Sequence, residues 1–415
     1  MPSAAALRPF QLDLSHAESL AGQYGTPLYV VSEAHFRDRA RQYNRAWPHG
    51  DVSYASKANS NLTLLRWAHE EGLSVDVASN GELEAALLAG VPGSHIRLHG
   101  NYKTDEDIFA ASRAAVGEVV ADSLVEIETL ARLGWKGRVA LRLALDVHSG
   151  SSDKVSTSHP DTKFGLSVAT GDALTGVRTA LDNGLGLIGF HCHVGSMMSV
   201  PGPVAEAARA MASFAQETKR AIGYWPETVN LGGGLAVDYT PDDEPVSVTA
   251  YCASVAQAAK EALGDPCPEL RIEPGRSIAA PAGLTIYRVG VVKRSSSGRK
   301  FVAVDGGMSD NPRPALYGAR YTVLSFRSET SEPATVVGRH CESDVMFKDA
   351  HLPSGIAPGD LLQVLHTGAY NASMASNYNR FLRPATVAIQ ENGEERIIER
   401  RETLEDIFAR EERGG

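Results

Sequence analysis

Between residues 28 and 275 one pattern recurs: a short β-rich run, a loop, then an amphipathic helical stretch. The candidate strands are PLYVV (27–31), VSYAS (52–56), SVDVAS (74–79), IRLHG (96–100), EVVAD (118–122), RVALRLAL (138–145), LIGFHCH (187–193), TVNLGG (228–233) and LRIEPG (270–275). Several lack polar/apolar alternation, as strands covered on both faces do. Stretches such as NLTLLRWAHEEG, NGELEAALLAG and VAEAARAMASFAQETKRAIG carry apolar residues three and four apart, and several end in glycine. Strand and helix alternating about eight times predict an α/β fold of the (β/α)8 TIM-like barrel type. Periodicity alone leaves a doubly wound sheet as the competitor.

Beyond residue 280 the texture changes. LTIYRVGVVKRS, KFVAVDGG, YTVLSFRS, ATVVGRH, DLLQVLHTG and ATVAIQENG alternate, are bounded by Gly, Pro and Asp, and have little helix between them. That pattern predicts an antiparallel β-barrel or sandwich domain, and RRETLEDIFAREERGG a short charged helix. The expected division is a barrel over 28–275 and a β domain over 276–415 joined by the N-terminal segment 1–27.

A net charge of −10 over 415 residues, with no Lys/Arg block, argues against a nucleic-acid or anionic-membrane surface. Cys192, Cys252, Cys267 and Cys341 form no C-x-x-C pair and are too few for a disulfide framework, so a reducing cytoplasm is the expected compartment. The first residues lack a basic start followed by an apolar run, and no stretch reaches the roughly 20 apolar residues of a membrane helix.

Active sites of such barrels form where the strands end, at their C-terminal side. This rule singles out Lys57, Asp76, His99, Arg142, His193, Gly232, Gly233, Gly234, Glu273 and Arg276. A lysine just past an apolar strand, if desolvated beside other cations, offers an amine for imine chemistry; the bland alternative is a surface lysine. Three consecutive glycines let backbone N–H groups converge on a phosphate, although glycine clusters are more often plain turns. EPGR places a carboxylate and a guanidinium at one strand end, suited to phosphate or carboxylate recognition, or is simply a surface turn. His191 and His193 share a strand face, but no further ligand follows at metal-site spacing, so no metal is expected. A ring stacked on a planar cofactor, or a satisfied core histidine, fits them better.

YASKANSN, VDVASNGELEAALLAGV, HGNYKTDED, DTKFG, GFHCHVGS, LGGGL, EPGRSIAA, VDGGMSDNPRPALYGARY, GRHCESD, TGAYNASMASNYNR and RRETLEDI occur in this order, from about residue 20 to 410. Together they resemble the diaminopimelate decarboxylase family, within the fold-type III (alanine-racemase-like barrel) decarboxylases that use pyridoxal 5'-phosphate. The resemblance implies that Lys57 holds the cofactor through an imine. His193 would stack on the ring, with Asp76 beside the cofactor and lysine, and Glu273 would pair with the pyridine nitrogen. Ser196, Gly232, Gly233, Gly234, Gly275, Arg276 and Tyr370 would hold the phosphate. Arg313 and Tyr317 would take the substrate's distal carboxylate, with Arg276 and Tyr370 also lining the substrate site. Cys341 and Glu342 would reach into the site of a second copy, making a homodimer with shared active sites; Cys341 would be the proton donor and Glu342 would bind the distal amine. The implied reaction is decarboxylation of meso-2,6-diaminopimelate to L-lysine.

Three departures accompany the match: Met197 stands where the family has Gln, Asp344 follows Ser343 without an intervening Gly, and LALDVHSG replaces an Asn-Pro pattern. The first two leave open a decarboxylase of a related diamino acid in secondary metabolism. A racemase is disfavoured by Glu273 and the Cys-Glu pair, and an amine-only substrate by Arg313 with Tyr317. A non-catalytic binding protein is disfavoured because lysine, phosphate loop and cysteine are all present.

Overall fold

The computed structural model describes residues 9–147, 162–244, 246–343 and 345–412. Asp344, Asp161 of DTKFG, the end of LALDVHSG from His148 onward and residues 1–8 therefore lie outside the described residues. Two compact units emerge. One comprises Arg37–Val237 and Glu244–Ile278; the other comprises Met1–Phe36, Asp238–Asp243 and Ala279–Gly415.

The first unit is a barrel of eight parallel strands: Ser53–Ala55, Ser74–Val77, Ile96–Leu98, Glu118–Ala121, Arg138–Ala144, Gly186–His191, Thr228–Asn230 and Glu269–Arg271. Each pairs with the next. The ring closes through a parallel bridge between Val52 and Ile272, with Ser53 N–H donating to the Ile272 carbonyl at 2.9 Å. The first four strands are buried at every residue, which is why they showed no alternation: one face lines the barrel interior and the other meets helices.

Helices start three to seven residues past the second, third and fourth strands, and their first turns are capped by the loop that leaves the strand. Ser79, Thr104 and Ser123 accept from the backbone N–H groups of Glu82, Asp107 and Glu126. Sharp caps keep these loops short, so residues one or two places beyond each strand stay at one end of the barrel.

The second unit carries a nine-stranded sheet. Its main path runs Phe347–Pro353, Ser331–Val337, Lys300–Val304, Gly283–Arg294, Leu28–Ser32, Ala385–Ile389 and Glu395–Glu399, while Leu361–Leu365 pairs with Gly283–Arg294 and Val323–Ser325. The helix Leu14–Tyr24 buries Ala17, Leu20 and Ala21 in a cluster with Leu28, Val30, Leu284, Ile286 and Val387.

Two expectations are corrected here. Residues 27–31 do not open the barrel: Leu28–Ser32 pairs antiparallel with Gly283–Ile286 and parallel with Ala385–Ile389. A fully buried apolar strand reads alike in either sheet, so its sequence carried no information about which neighbours it would take. The β domain is also mixed rather than antiparallel, because Lys300–Val304 with Ser331–Val337 is a second parallel pair. Alternation reports which face is buried, not the direction of the adjoining strand.

Candidate active site

Lys57 lies in a single 3-10 turn, Ser56–Ala58, directly after the first barrel strand. Its neighbours Ser56 and Ala58 are buried while its own side chain is exposed, so it projects from the strand end without being desolvated by the chain itself. Its charge acts on both Asp76 and His193, which places all three in one neighbourhood.

The densest cluster surrounds Glu273, two residues past the eighth strand. Asn230 Nδ2 donates to Glu273 Oε1 at 2.7 Å, and His191 Nε2 lies 3.0 Å from Oε2. His99 Nε2 is 3.1 Å from Oε1 and 3.7 Å from Asp76 Oδ1. His191 and Asn230 end the sixth and seventh strands and His99 follows the third, so three separate strand ends converge on one carboxylate.

The electrostatics divide these groups. Burial opposes a charge on Glu273, yet His99 and His191 hold its carboxyl well below the usual carboxylate range. Asp76 moves the other way, raised by burial and by Glu273 against the opposing pull of His99 and Lys57. His191 is lowered to about 4, chiefly by burial, so its ring is neutral and donates Nε2–H to the carboxylate. His99 is raised: burial lowers it, but Asp76 and Glu273 outweigh burial. Burial opposes charge on both acids; His99 and His191 outweigh it at Glu273, which favours the ionised form, and His99 and Lys57 do not outweigh it at Asp76.

A second group lies at the ends of the sixth, seventh and eighth strands. Arg276 Nε donates to Ser196 Oγ at 3.0 Å. His193 is pushed well below the ordinary histidine range by burial and by Lys57. Its Nδ1 accepts from the Gly233 N–H at 3.3 Å, which leaves the ring proton on Nε2. Of the three glycine amides, Gly232 N–H is taken by Asn230 Oδ1 at 3.0 Å, while Gly234 N–H has no protein partner among the described residues. Gly234 has φ +131°, and a side chain there would bring Cβ within 2.5 Å of the Gly195 carbonyl, so only glycine serves. Gly275 lets the chain pass Ala55, since a Cβ would lie 2.9 Å from the Ala55 carbonyl oxygen.

This donor set fits a phosphorylated pyridine. An ionised, buried carboxylate suits a protonated ring nitrogen. A neutral imidazole suits a ring face, and Ser196, Arg276 and the Gly234 amide suit a phosphate. His99, His191 and Glu273 also hold their donor atoms within 4.8 Å of one another. The sequence sets His191 beside His193 alone; its carboxylate partner Glu273 sits 82 residues away in the chain.

The remaining candidates lie in the other unit. Arg313 opens the short helix Arg313–Tyr317 and is only 6% exposed. Its Nη1 donates to Tyr321 Oη at 2.5 Å, and the guanidinium lies 4.9 Å from the Tyr239 ring centre and 5.5 Å from that of Tyr321. No carboxylate pairs with it among the described residues, so it is not a surface salt bridge. Tyr317 is exposed, and Tyr370 is in the left-handed region at φ +60°. Cys341 is exposed, with its backbone N–H donating to Asn379 Oδ1 at 2.9 Å. The exposed Glu342 accepts from Tyr378 Oη at 3.0 Å. Asn230 was missed in the sequence and His99 was noted without a role; their strand-end positions were the available signal.

Comparison with known proteins adds to this geometry. A family model described as pyridoxal-dependent decarboxylase, pyridoxal binding domain, matches residues 33–280. The diaminopimelate decarboxylase of Actinosynnema pretiosum subsp. auranticum is 44% identical over 402 residues, covering 95% of this chain and 91% of that protein. The diaminopimelate decarboxylase of Bacillus subtilis is 40% identical over 404 residues, covering 94% and 92%. The crystal structure of diaminopimelate decarboxylase from M. jannaschii in complex with L-lysine superposes with a TM-score of 0.88 at 34% identity, covering 95% of this chain and 94% of that one. With the Glu273 cluster and the ordered strand-end residues, these matches settle the family: the chain belongs to the pyridoxal-dependent decarboxylases, among the diaminopimelate decarboxylases.

Proposed function

We propose that this chain decarboxylates meso-2,6-diaminopimelate to L-lysine and CO2, the last step of lysine biosynthesis, using pyridoxal 5'-phosphate. The observation that carries the chemistry is the buried Glu273 carboxylate held by Asn230, His191 and His99, partners that favour its ionised form. Bound in the barrel, the protonated pyridine ring of the cofactor supplies a sink for the electron pair left when CO2 departs.

The residues then take these roles. Lys57 supplies the amine that holds the cofactor, and Asp76 and His193 flank it. Glu273 keeps the ring nitrogen protonated, because a fixed negative charge beside that nitrogen opposes loss of its proton. Ser196, Arg276 and Tyr370 bind the phosphate with the loop of Gly232, Gly233 and Gly234 and with Gly275; of the loop amides Gly234 N–H is the donor, since those of Gly232 and Gly233 serve Asn230 and His193. Arg313 and Tyr317, with Arg276 and Tyr370, bind the substrate. A buried guanidinium lined by tyrosines, with no carboxylate partner among the described residues, is ready for one from a ligand.

Cys341 and Glu342 serve the site of a second copy of the chain, so the working unit is a homodimer. Their exposure supports this reading. Glu342 binds the distal ammonium group. The Cys341 Sγ–H proton passes to the carbon that lost CO2, and the resulting thiolate regains a proton from water. No helix among the described residues is long and apolar enough to cross a membrane, and we place the enzyme in the cytoplasm.

The test is a parallel incubation of purified, cofactor-loaded protein with meso-diaminopimelate, ornithine, lysine and arginine, following CO2 and the amine product. Turnover of meso-diaminopimelate to lysine is expected. Turnover of an amine-only substrate in its place would overturn the role given to Arg313.

A further inference from the structure

Cys341 and Glu342 belong to a stretch without regular secondary structure, and both side chains are exposed. A proton donor and a substrate-binding carboxylate placed on such a stretch need a fixed support, since small displacements of reacting groups are costly. The contacts that supply it come from one short turn, residues 377–381.

Asn379 Oδ1 accepts the Cys341 N–H at 2.9 Å, and Tyr378 Oη donates to Glu342 Oε2 at 3.0 Å. Consecutive residues of the turn thus hold consecutive residues of the exposed stretch. Beneath them, the Tyr378 ring stacks on His340 with centres 5.9 Å apart and planes 8° apart, and Phe381 meets the same His340 ring edge-on at 4.7 Å. The Arg339 guanidinium lies over the Phe381 ring at 4.1 Å. The residues from Arg339 to Glu342 are therefore gripped along their whole length.

The turn is itself built under constraint. Asn379 has φ +51° and Arg380 φ +61°, two adjacent non-glycine residues in the left-handed region. Asn377 Nδ2 closes the turn by donating to the Phe381 carbonyl at 3.0 Å. Asparagine tolerates this conformation better than most residues. Glycine would tolerate it too, but would bring no side-chain oxygen to the Cys341 N–H.

We propose that the 377–381 turn is the mount for the Cys-Glu pair, with Asn379 positioning the Cys341 thiol and Tyr378 positioning the Glu342 carboxylate. Both are positioning residues, and the inference rests on the roles proposed above for Cys341 and Glu342. It makes the two halves of the turn separable: Asn379 governs protonation and so kcat, whereas Tyr378 governs distal-amine binding and so KM.

The experiment compares holoenzyme carrying Asn379→Gly, Asn379→Asp, Tyr378→Phe or Cys341→Ala, reading kcat, KM, cofactor absorbance per chain and thermal midpoint. Asn379→Gly keeps the backbone conformation and loses the acceptor; kcat is expected to fall about three- to tenfold with KM little changed. Asn379→Asp keeps both features and is expected to restore kcat. Tyr378→Phe keeps the stack on His340 and loses the hydroxyl; KM is expected to rise about three- to tenfold with kcat held. Cofactor absorbance and thermal midpoint should not move. Wild-type kinetics in both Asn379→Gly and Tyr378→Phe, beside a slowed Cys341→Ala, would overturn the mount alone. A parallel loss of kcat, KM and midpoint in both would also overturn it, since that is how a purely structural turn behaves. An unslowed Cys341→Ala would instead remove the proton-donor reading, and the Asn379 half with it.

Discussion

Asn230 Nδ2 stands 2.7 Å from Glu273 Oε1, while Asn230 Oδ1 accepts the Gly232 N–H at 3.0 Å. One amide thus ties the carboxylate of the eighth strand end to the first residue of the glycine loop. Asn230→Ala removes both bonds at once and leaves buried polar groups short of partners. It is expected to cost about 1–3 kcal/mol of stability, measured by urea denaturation of the apo form, and to lower cofactor occupancy. An unchanged denaturation midpoint would show that the amide holds nothing.

The His191 ring gives a pH dependence. Burial lowers it from the ordinary 6.5 to about 4. A histidine depressed in the folded state stabilises fully above its unfolded pKa. That contribution is lost as pH falls from about 6.5 towards 4, where the unfolded chain takes up a proton that the folded chain refuses. Its share is about 3 kcal/mol at most. His191→Gln should flatten the stability profile between pH 7 and 4.5 relative to wild type. Parallel profiles would contradict a neutral buried ring.

Arg313 makes no carboxylate pair among the described residues, so truncating it leaves no orphaned buried acid. Arg313→Ala loses the Tyr321 bond and its packing on two tyrosine rings, so it is expected to fold with a modestly lowered midpoint and to lose about 100-fold or more in kcat/KM for meso-diaminopimelate, through KM. A normal KM would show that the distal carboxylate binds elsewhere.

Cys341→Ala is expected to retain cofactor absorbance while kcat falls, by about 100-fold for a lost general acid. Full kcat would end the proton-donor role.

Much of the barrel was legible because depth of burial and helix spacing write themselves into local sequence: eight of the nine candidate strands became its eight staves. The ninth, Leu28–Ser32, was read as a strand but given the wrong sheet, since partner choice is settled by neighbours more than 250 residues away. Phe347–Pro353 escaped notice because Lys348, Asp349 and His351 break its apolar run, and Glu395–Glu399 because it is a charged edge. In the site, Lys57, Glu273 and Arg276 stood out by chemical type at strand ends. Asn230 did not: an amide at the end of a short strand is unremarked until the fold brings a carboxylate against it. The triple glycine was read as three phosphate donors, whereas two of its amides already serve Asn230 and His193.

The most direct test of the central claim, that an ionised Glu273 makes this site a decarboxylase, is kcat of Glu273→Gln measured alongside its cofactor absorbance. The glutamine keeps the shape and a hydrogen bond but removes the negative charge that holds the ring nitrogen protonated. The expected result is retained cofactor with kcat lower by about 100-fold or more. Retained cofactor with wild-type kcat would contradict the claim.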